Sequence, residues 1–142
     1  MNSLVAYFSR GGNTRKVAEV IAKELGCNAV DIMKERPSIS NVDLLIVGSG
    51  TYGAKPGEEF VSFLKEIPPA TGKRVALFAT CSSGVVLWFE SMKGILEPKG
   101  YQVCGSFSCF GQISFVRRGY PTAKELAEAA EFAAQLRSDA GS

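Results

Sequence analysis

The chain has 142 residues, the usual length of one domain, and its 46% hydrophobic and 21% charged residues exclude a disordered protein. The 16 basic and 14 acidic side chains give a formal charge of +2, which is too small and too evenly spread to favour nucleic-acid binding. The sequence has no histidine, which excludes Ser-His and Cys-His catalysis, histidine metal ligation and a histidine proton shuttle.

The first half of the chain alternates short apolar runs with an amphipathic segment. Residues 4–8, 27–32 and 43–47 are short apolar runs of the kind found in strands that are buried on both faces. Residues 14–25 carry apolar side chains at helical spacing, which predicts a helix between the first two strands. The connection at 33–42 is short, so we expect its crossover helix to be a single turn or absent.

The second half of the chain continues this alternation. The predicted elements are, in order, a helix at 60–67, a strand at 75–79, a helix at 85–96 and a strand within 101–110. Thr122 and Glu125 have the spacing of a capping box, which predicts a last helix that runs to residue 136. Strands that alternate with helices long enough for right-handed crossovers indicate one open α/β domain over residues 1–142.

The four cysteines are expected to be reduced thiols. None of them has the C-x-x-C spacing of a redox dithiol or a zinc site. Cys104 and Cys109 lie in one predicted strand, and their spacing places the side chains on opposite faces, too far apart for a disulfide. Reduced thiols, the lack of a signal-type N-terminus and the lack of an apolar run of roughly 18–20 residues predict a cytoplasmic protein without membrane association.

The loops after the first, third and fourth strands are candidate binding sites, because ligands of open α/β sheets bind beyond the carboxyl ends of the strands. The first of these loops, residues 9–14, combines two glycines, two hydroxyl groups and the start of a helix, which suits a terminal phosphate. It is not the G-x-G-x-x-G fingerprint, and Ala54 stands where a P-loop after Gly48 would need lysine. The alternative interpretation of residues 9–14 is an ordinary helix N-cap after a turn.

Residues 9–14, Ser-Arg-Gly-Gly-Asn-Thr, resemble the phosphate loop of flavodoxins, T/S-x-T-G-x-T, with Gly11 in place of the middle threonine. The resemblance implies a three-layer, doubly wound sheet of five parallel strands in the order 2-1-3-4-5, with FMN as cofactor. It also implies that side chains and the backbone from residue 10 to 15 hold the FMN phosphate. The residues concerned are Ser9, Arg10, Gly11, Gly12, Asn13 and Thr14, with the side-chain contacts from Ser9, Asn13 and Thr14.

Residues 49–54 resemble the flavodoxin loop after the third strand, and this implies that Thr51, Tyr52, Gly53 and Ala54 bind the cofactor. Tyr52 occupies the position of an aromatic ring that covers one face of the isoalloxazine. The Gly53–Ala54 peptide falls where flavodoxins reorient a carbonyl toward N5 of the reduced flavin, and glycine permits that rotation. The alternative is a glycine-rich turn with an exposed tyrosine.

The loop after the fourth predicted strand departs from the family, because it has neither the second aromatic ring nor the acidic residue that many flavodoxins place there. Its backbone is still expected to bind the pyrimidine edge of the flavin, through Thr80, Cys81, Ser82, Ser83 and Gly84. We interpret Trp88, four residues further on, as a core residue and not as a flavin-stacking one.

Other folds of this class lack the residues that their functions need. A phosphorelay receiver requires aspartate at the end of the third strand, where Gly48 and Ser49 stand. A low-molecular-weight tyrosine phosphatase requires C-x5-R, and none of the cysteines is followed by arginine at that spacing. A thioredoxin requires C-x-x-C.

The presumed flavin loops offer no general acid or base, which favours an electron carrier or a reductase subunit over a stand-alone enzyme. We therefore predict a monomeric protein that passes electrons between a reductase and an acceptor protein or a small conjugated acceptor. Two alternatives remain open. One is a self-contained FMN-dependent NAD(P)H oxidoreductase of the quinone or flavin reductase type, and the other is a flavodoxin-fold interaction module without FMN.

The charge near the expected flavin edge differs from that of typical flavodoxins, which are acidic. This chain places basic side chains there, namely Arg10, Arg15, Lys55, Arg117 and Arg118. Positive charge at this edge favours the anionic reduced flavin. Our hypothesis is that the protein passes electrons to an acidic partner or to a small acceptor held over the flavin.

Overall fold

A parallel sheet forms the centre of the computed structural model, which describes residues 2–82, 86–111 and 119–140. Its strands are β1 (Ser3–Phe8), β2 (Ala29–Asp31), β3 (Leu44–Tyr52), β4 (Lys55–Pro56), β5 (Arg74–Cys81) and β6 (Gln102–Phe110). The parallel strands follow the order β2-β1-β3-β5-β6, and β4 adds a short antiparallel pair to the end of β3. The prediction did not include the short β4, so its fourth and fifth strands correspond to β5 and β6. The predicted order 2-1-3-4-5 and the doubly wound topology are therefore confirmed.

Helices cover both faces of the sheet, and within the described ranges they are α1 (Asn13–Leu25), α2 (Glu58–Glu66), α3 (Phe89–Leu96) and α4 (Ala123–Ala140). Ile21 of α1 and Ala133 of α4 belong to the same buried cluster as Ile46 of β3. Leu64 of α2 lies in the opposite cluster, with Val47. Neighbouring residues of β3 reach different layers because successive side chains of a strand point to opposite faces. Full burial of such a side chain contributes about 1.5–3 kcal/mol to stability.

Strands β3 and β5 extend further than the sequence predicted. Residues 48–52, expected in a loop, continue β3, and Thr80 and Cys81 continue β5. Gly48 continues the strand because it makes room for Phe78 of β5: a Cβ at position 48 would lie 2.3 Å from that ring. The predicted binding residues Thr51 and Tyr52 therefore lie at the end of a strand and not in a loop.

Three other boundaries differ from the prediction or refine it. Strand β2 is shorter than predicted, and residues 32–43 contain no helix, which confirms one of the two expected outcomes. Helix α3 begins at Phe89, and residues 86–88 lie outside it. Trp88 is the N-cap of this helix, and its indole N–H donates to Thr51 Oγ1 of β3 at 3.0 Å.

A bulge in β6 overturns the expectation that Cys104 and Cys109 face opposite sides of the sheet. Between the partners of Val75 and Ala76 in β5, strand β6 contains one extra residue, Cys104. The extra residue shifts the alternation, so both cysteines pack on the face that α1 and α4 cover. All four cysteines are free thiols, as predicted.

Candidate functional site

A cavity of about 250 Å³ opens at the carboxyl ends of β1, β3 and β5. It brings together residues from all three predicted binding segments. The lining residues are Ser9, Arg10, Gly11, Asn13, Thr14, Gly50, Thr51, Tyr52, Thr80, Cys81 and Gly111. Gly50 and Gly111 were not predicted as site residues. Each position favours glycine because another side chain packs closely against its backbone, Tyr52 at Gly50 and Asn13 at Gly111.

The first loop holds its backbone N–H groups around a hydroxyl oxygen. Ser9 Oγ accepts hydrogen bonds from the N–H of Gly12 at 3.0 Å and from the N–H of Arg15 at 3.4 Å. Gly12 precedes α1 with φ of 91°, a left-handed conformation that favours glycine, and it offers no side-chain cap to the helix. Ser9 Oγ thus occupies a position in which an anionic oxygen can be bound by the same N–H donors.

Thr14 and Asn13 connect this loop to the neighbouring strands. Thr14 is buried, and its Oγ1 lies 2.9 Å from Oγ1 of Thr80 in β5. Asn13 packs against the backbone of Gly111, where a Cβ would lie 2.9 Å from Asn13 Nδ2. Gly111 is itself fixed, because its N–H donates to the carbonyl of Cys81 at 2.9 Å. The three segments therefore form one connected wall.

Tyr52 folds back from the end of β3 onto the first loop. Its Oη accepts the backbone N–H of Arg10 at 3.2 Å, and the Arg10 guanidinium carbon lies 4.2 Å from the centroid of its ring. Phe8 meets the ring edge-on, with centroids 6.0 Å apart. Gly50 is needed beneath it, since a Cβ there would lie 2.4 Å from Tyr52 Oη. Burial raises the pKa of Tyr52, and the nearby Arg10 opposes that change only in part.

The turn between β3 and β4 has an unusual backbone. Tyr52 pairs with Lys55, and both residues between them have positive φ, 59° at Gly53 and 69° at Ala54. This is the pattern of a type I′ hairpin, which normally has glycine or asparagine at such positions. Among the described residues, Ala54 is the non-glycine with positive φ. Gly53 and Ala54 lie at the tip of the hairpin and do not line the 250 Å³ cavity.

The third predicted segment is represented by the end of β5. Thr80 and Cys81 line the cavity and are buried, and Cys81 Sγ donates to the carbonyl of Cys109 at 3.8 Å. Ser82 is half-buried and does not line the cavity, and the predicted residues Ser83 and Gly84 lie outside the described residues. The same is true of Arg117 and Arg118.

Trp88 is a core residue, which confirms its interpretation from the sequence. Its side chain is buried, and its ring lies edge-on to Phe60 and Phe89 at centroid distances of 5.7 and 4.9 Å. It contributes to the site only indirectly, through the hydrogen bond from its indole N–H to Thr51 Oγ1.

The described part of the chain offers no metal site, because no three histidine, cysteine, aspartate or glutamate side chains come together there. Within the same residues, none of the helices combines the length and the apolar character that crossing a bilayer requires.

The donor set of the cavity fits a phosphorylated flavin. Backbone N–H groups and a guanidinium suit an anionic group, hydroxyls from three segments suit a polyhydroxyl chain, and Tyr52 provides a flat ring. About 250 Å³ is less than the roughly 300–1,000 Å³ of most small-molecule sites, so part of such a ligand must lie outside the enclosed volume. Fold and cavity together define a three-layer α/β protein with a nucleotide-type site at the carboxyl edge of its sheet.

Comparison with known proteins identifies the family. Residues 4–84 match the family model described as the flavodoxin domain, and the chain therefore belongs to the flavodoxin family. The flavodoxin of Clostridium beijerinckii is 34% identical over 105 residues, which cover 68% of this chain and 76% of that protein. An uncharacterized protein of Methanocaldococcus jannaschii is 29% identical over 148 residues, which cover 96% of this chain and 98% of that one.

Among solved structures, a flavodoxin from the domain Archaea superposes with a TM-score of 0.81 and covers 100% of both chains at 19% identity. Membership of this family makes the protein a flavoprotein with FMN as its cofactor, as the sequence predicts. The assignment of individual residues to FMN stays a prediction, which the cavity supports for Ser9, Asn13 and Thr14 and for the segments around Tyr52 and Thr80.

Proposed function

We propose that the protein is an electron carrier that receives electrons from a reductase and passes them to an acceptor protein with an acidic surface. The observation that carries this proposal is the chemistry of the cavity wall. The described residues that line it offer hydroxyl, amide, thiol, phenol and guanidinium groups, but no carboxylate and no imidazole. Such a wall can bind and orient a flavin, whereas proton abstraction from a substrate needs a base with a pKa near the working pH. When bound, FMN supplies the electron chemistry.

Basic side chains around the cavity support an acidic acceptor. Arg10 lines the cavity and Lys55 is exposed in β4, beside the hairpin turn. Arg15 is also exposed, although Glu19 pairs with it at 3.4 Å. Charges of one sign around a docking face accelerate encounter with a partner of the opposite sign, and salt reduces this effect. A cytoplasmic location agrees with the four free thiols, and a monomer remains our prediction.

The proposal is tested on protein that has been reconstituted with FMN and desalted. We expect NADPH alone to leave the flavin absorbance bands unchanged, and NADPH with a flavoprotein reductase to bleach them. Transfer from the reduced protein to an acidic acceptor should slow as NaCl is added. Rapid bleaching by NAD(P)H alone would refute a pure carrier, and a transfer rate that rises with salt would refute the acidic acceptor.

A second cavity favours the self-contained oxidoreductase as a second candidate. Its volume is about 490 Å³, within the range of small-molecule sites. It adjoins the β3–β4 hairpin and is lined by Ala54, Lys55, Pro56, Glu58, Val61, Leu87, Trp88, Ser91 and Met92. Leu87 is 76% exposed at its rim. A flat conjugated acceptor bound in this largely apolar cavity would lie beside the FMN site.

The two candidates differ in whether NAD(P)H turnover needs a partner. Steady NAD(P)H oxidation with a soluble quinone and no reductase would support the oxidoreductase. Ser91→Trp should then slow this oxidation, because the new ring fills the second cavity. The third interpretation, an interaction module without FMN, requires the protein to stay colourless after FMN addition and desalting. Bound-flavin absorbance in the same sample would eliminate it.

A further inference from the structure

Arg10 is an exposed residue at the junction between the first loop and β3, and its side chain lies against two aromatic rings. Its guanidinium carbon lies 4.2 Å from the ring centroid of Tyr52 and 5.6 Å from that of Phe8. Its backbone N–H donates to Tyr52 Oη at 3.2 Å. Both Arg10 and Tyr52 line the FMN cavity, so side chain and backbone together hold a guanidinium at its wall.

The charge of Arg10 is not compensated by a carboxylate in the described part of the chain. Arg15 pairs with Glu19 at 3.4 Å, Arg36 with Glu66 at 3.7 Å and Arg137 with Glu24 at 3.1 Å, whereas Arg74, which does not line the cavity, has no such partner among the described residues either. Arg10 makes no ion pair with any described residue, and no acidic side chain is among the described residues that line the cavity. Its charge is therefore available to an anion that enters.

Tyr52 holds the guanidinium without neutralising it. A cation–π contact orients the cation over the ring but transfers no charge. Burial raises the pKa of Tyr52, so the phenol is uncharged at neutral pH. Tyr52 therefore positions the guanidinium of Arg10 without neutralising its positive charge.

The positive charge of Arg10 can assist phosphate binding by the first loop. Ser9 Oγ already accepts the N–H groups of Gly12 and Arg15, so a phosphate oxygen has to compete with it for these donors. A guanidinium adds charge-assisted, bidentate hydrogen bonds that favour the phosphate in this competition. The family motif leaves position 10 unspecified, so the motif itself assigns no role to Arg10.

We propose that Arg10 selects FMN over its unphosphorylated form, riboflavin, and that Tyr52 is the positioning residue that keeps Arg10 at the cavity. This inference rests on FMN binding as given under the proposed function, and it names the residue that determines the specificity for the phosphorylated cofactor. The chemistry involved is binding alone, and no bond is made or broken.

The test compares two flavins on the same apoprotein. Quenching of flavin fluorescence gives the Kd of FMN and of riboflavin for the wild type and for Arg10→Gln. We expect the substitution to weaken FMN binding about tenfold and riboflavin binding less than about threefold, because only FMN has the phosphate that the guanidinium favours. Arg10→Lys should recover part of the selectivity, since it restores the charge but not the planar fork.

Controls separate this role from charge in general and from packing. Lys16→Gln removes a positive charge from the exposed side of α1, outside the cavity lining, and should leave the ratio of the two Kd values unchanged. Tyr52→Phe retains the ring beneath Arg10 and should keep most of the selectivity, whereas Tyr52→Leu removes the ring and should lower it. Circular dichroism confirms that each variant is folded.

The outcomes distinguish this inference from the proposed function. Equal weakening of both flavins in Arg10→Gln, or an unchanged ratio, overturns the role of Arg10 while FMN binding by the wild type stands. If the ratio of the riboflavin Kd to the FMN Kd falls equally in Lys16→Gln, the effect of Arg10 is one of overall positive charge, and this result also overturns its role in selectivity. A wild type that binds neither flavin refutes the proposed function itself.

Discussion

Thr14 and Thr80 share a buried hydrogen bond at the wall of the 250 Å³ cavity, with their Oγ1 atoms 2.9 Å apart. Thr14 lies in the first turn of α1 and is 1% exposed, and Thr80 lies near the end of β5 and is 4% exposed. The contact joins the first predicted binding loop to the last predicted binding segment. A buried hydroxyl that loses its partner costs about 1–3 kcal/mol, so stability depends on this pair, and we predict that cofactor binding does as well.

Replacing Thr80 with valine removes one hydroxyl at nearly constant volume and leaves Thr14 Oγ1 without this partner. We expect the apoprotein to lose about 1–3 kcal/mol of unfolding free energy, measured by urea denaturation. The matched control is the double variant Thr14→Val/Thr80→Val, which buries no unpaired hydroxyl and should recover much of the loss in the apoprotein. FMN affinity should not recover with it. A coupling energy below about 0.5 kcal/mol in the double-mutant cycle would contradict this account.

The turn at Gly53 and Ala54 stores backbone strain that a glycine would relieve. Ala54 has φ of 69°, a conformation that costs an L-residue about 1–2 kcal/mol, against roughly 0.5–1 kcal/mol for the extra chain entropy of glycine. Ala54→Gly should therefore stabilise the apoprotein by about 0.5–1 kcal/mol in urea denaturation. Gly53→Ala introduces the same strain at residue 53, where φ is 59°, and should destabilise the apoprotein. Destabilisation by both substitutions would show that the Ala54 side chain, and not its φ, matters.

The position of the site could be predicted because it depends on local features. Strand ends followed by glycines and hydroxyls, at residues 9–14 and at Thr51 and Tyr52, are visible in short windows of sequence. Parallel topology then brings these strand ends to one edge. Gly50 and Gly111 could not be found in this way, because each is required by a side chain packed against it, Tyr52 and Asn13 respectively.

The full length of β3 and the bulge in β6 escaped prediction for a related reason. Gly48 was expected to end its strand, but Phe78 of the neighbouring strand needs the space that a missing side chain provides. The bulge at Cys104 depends on how β6 pairs with β5, and the neighbouring Gly105 is the only local indication of it, since a glycine inside a strand often marks a bulge. Both features are contacts between strands that are distant in sequence, whereas periodicity reports only on the residues of one element.

Gly48 should be among the least replaceable residues of the sheet. A Cβ at this position would lie 2.3 Å from the ring of Phe78, which is fully buried, so Gly48→Ala overpacks the core and should cost about 1–3 kcal/mol or more. The measurement is thermal or urea denaturation of the apoprotein.

Gly94 provides the matched control for this substitution. It lies inside α3, and a Cβ there meets no atom of the described residues within 4 Å. Gly94→Ala should therefore stabilise the apoprotein by about 0.5–1 kcal/mol through helix propensity. Equal effects of the two substitutions would mean that the packing of Phe78 against Gly48 is not what fixes β3.

The start of α4 gives a prediction for acid stability. Glu125 Oε1 accepts the backbone N–H of Thr122 at 2.9 Å, which is one of the two hydrogen bonds of the predicted capping box, and it also accepts the Thr122 hydroxyl. The hydroxyl of Thr122 is the main reason that the pKa of Glu125 is lowered from 4.5. A carboxyl whose pKa is lower in the folded chain stabilises that chain above its unfolded pKa, and the contribution is lost as the pH falls through the folded value.

Glu125→Gln should therefore lower stability at pH 7 and should make little difference at pH values below the folded pKa of Glu125. We expect the two unfolding curves, followed by circular dichroism in urea from pH 7 to pH 3, to converge as the pH falls below about 4.5. Glu131→Gln removes the same charge from an exposed position on α4 and should show no such convergence. If the wild type and Glu125→Gln differ by the same amount at every pH, the capping carboxylate does not act through its charge, and only the shape of the side chain matters at this helix start.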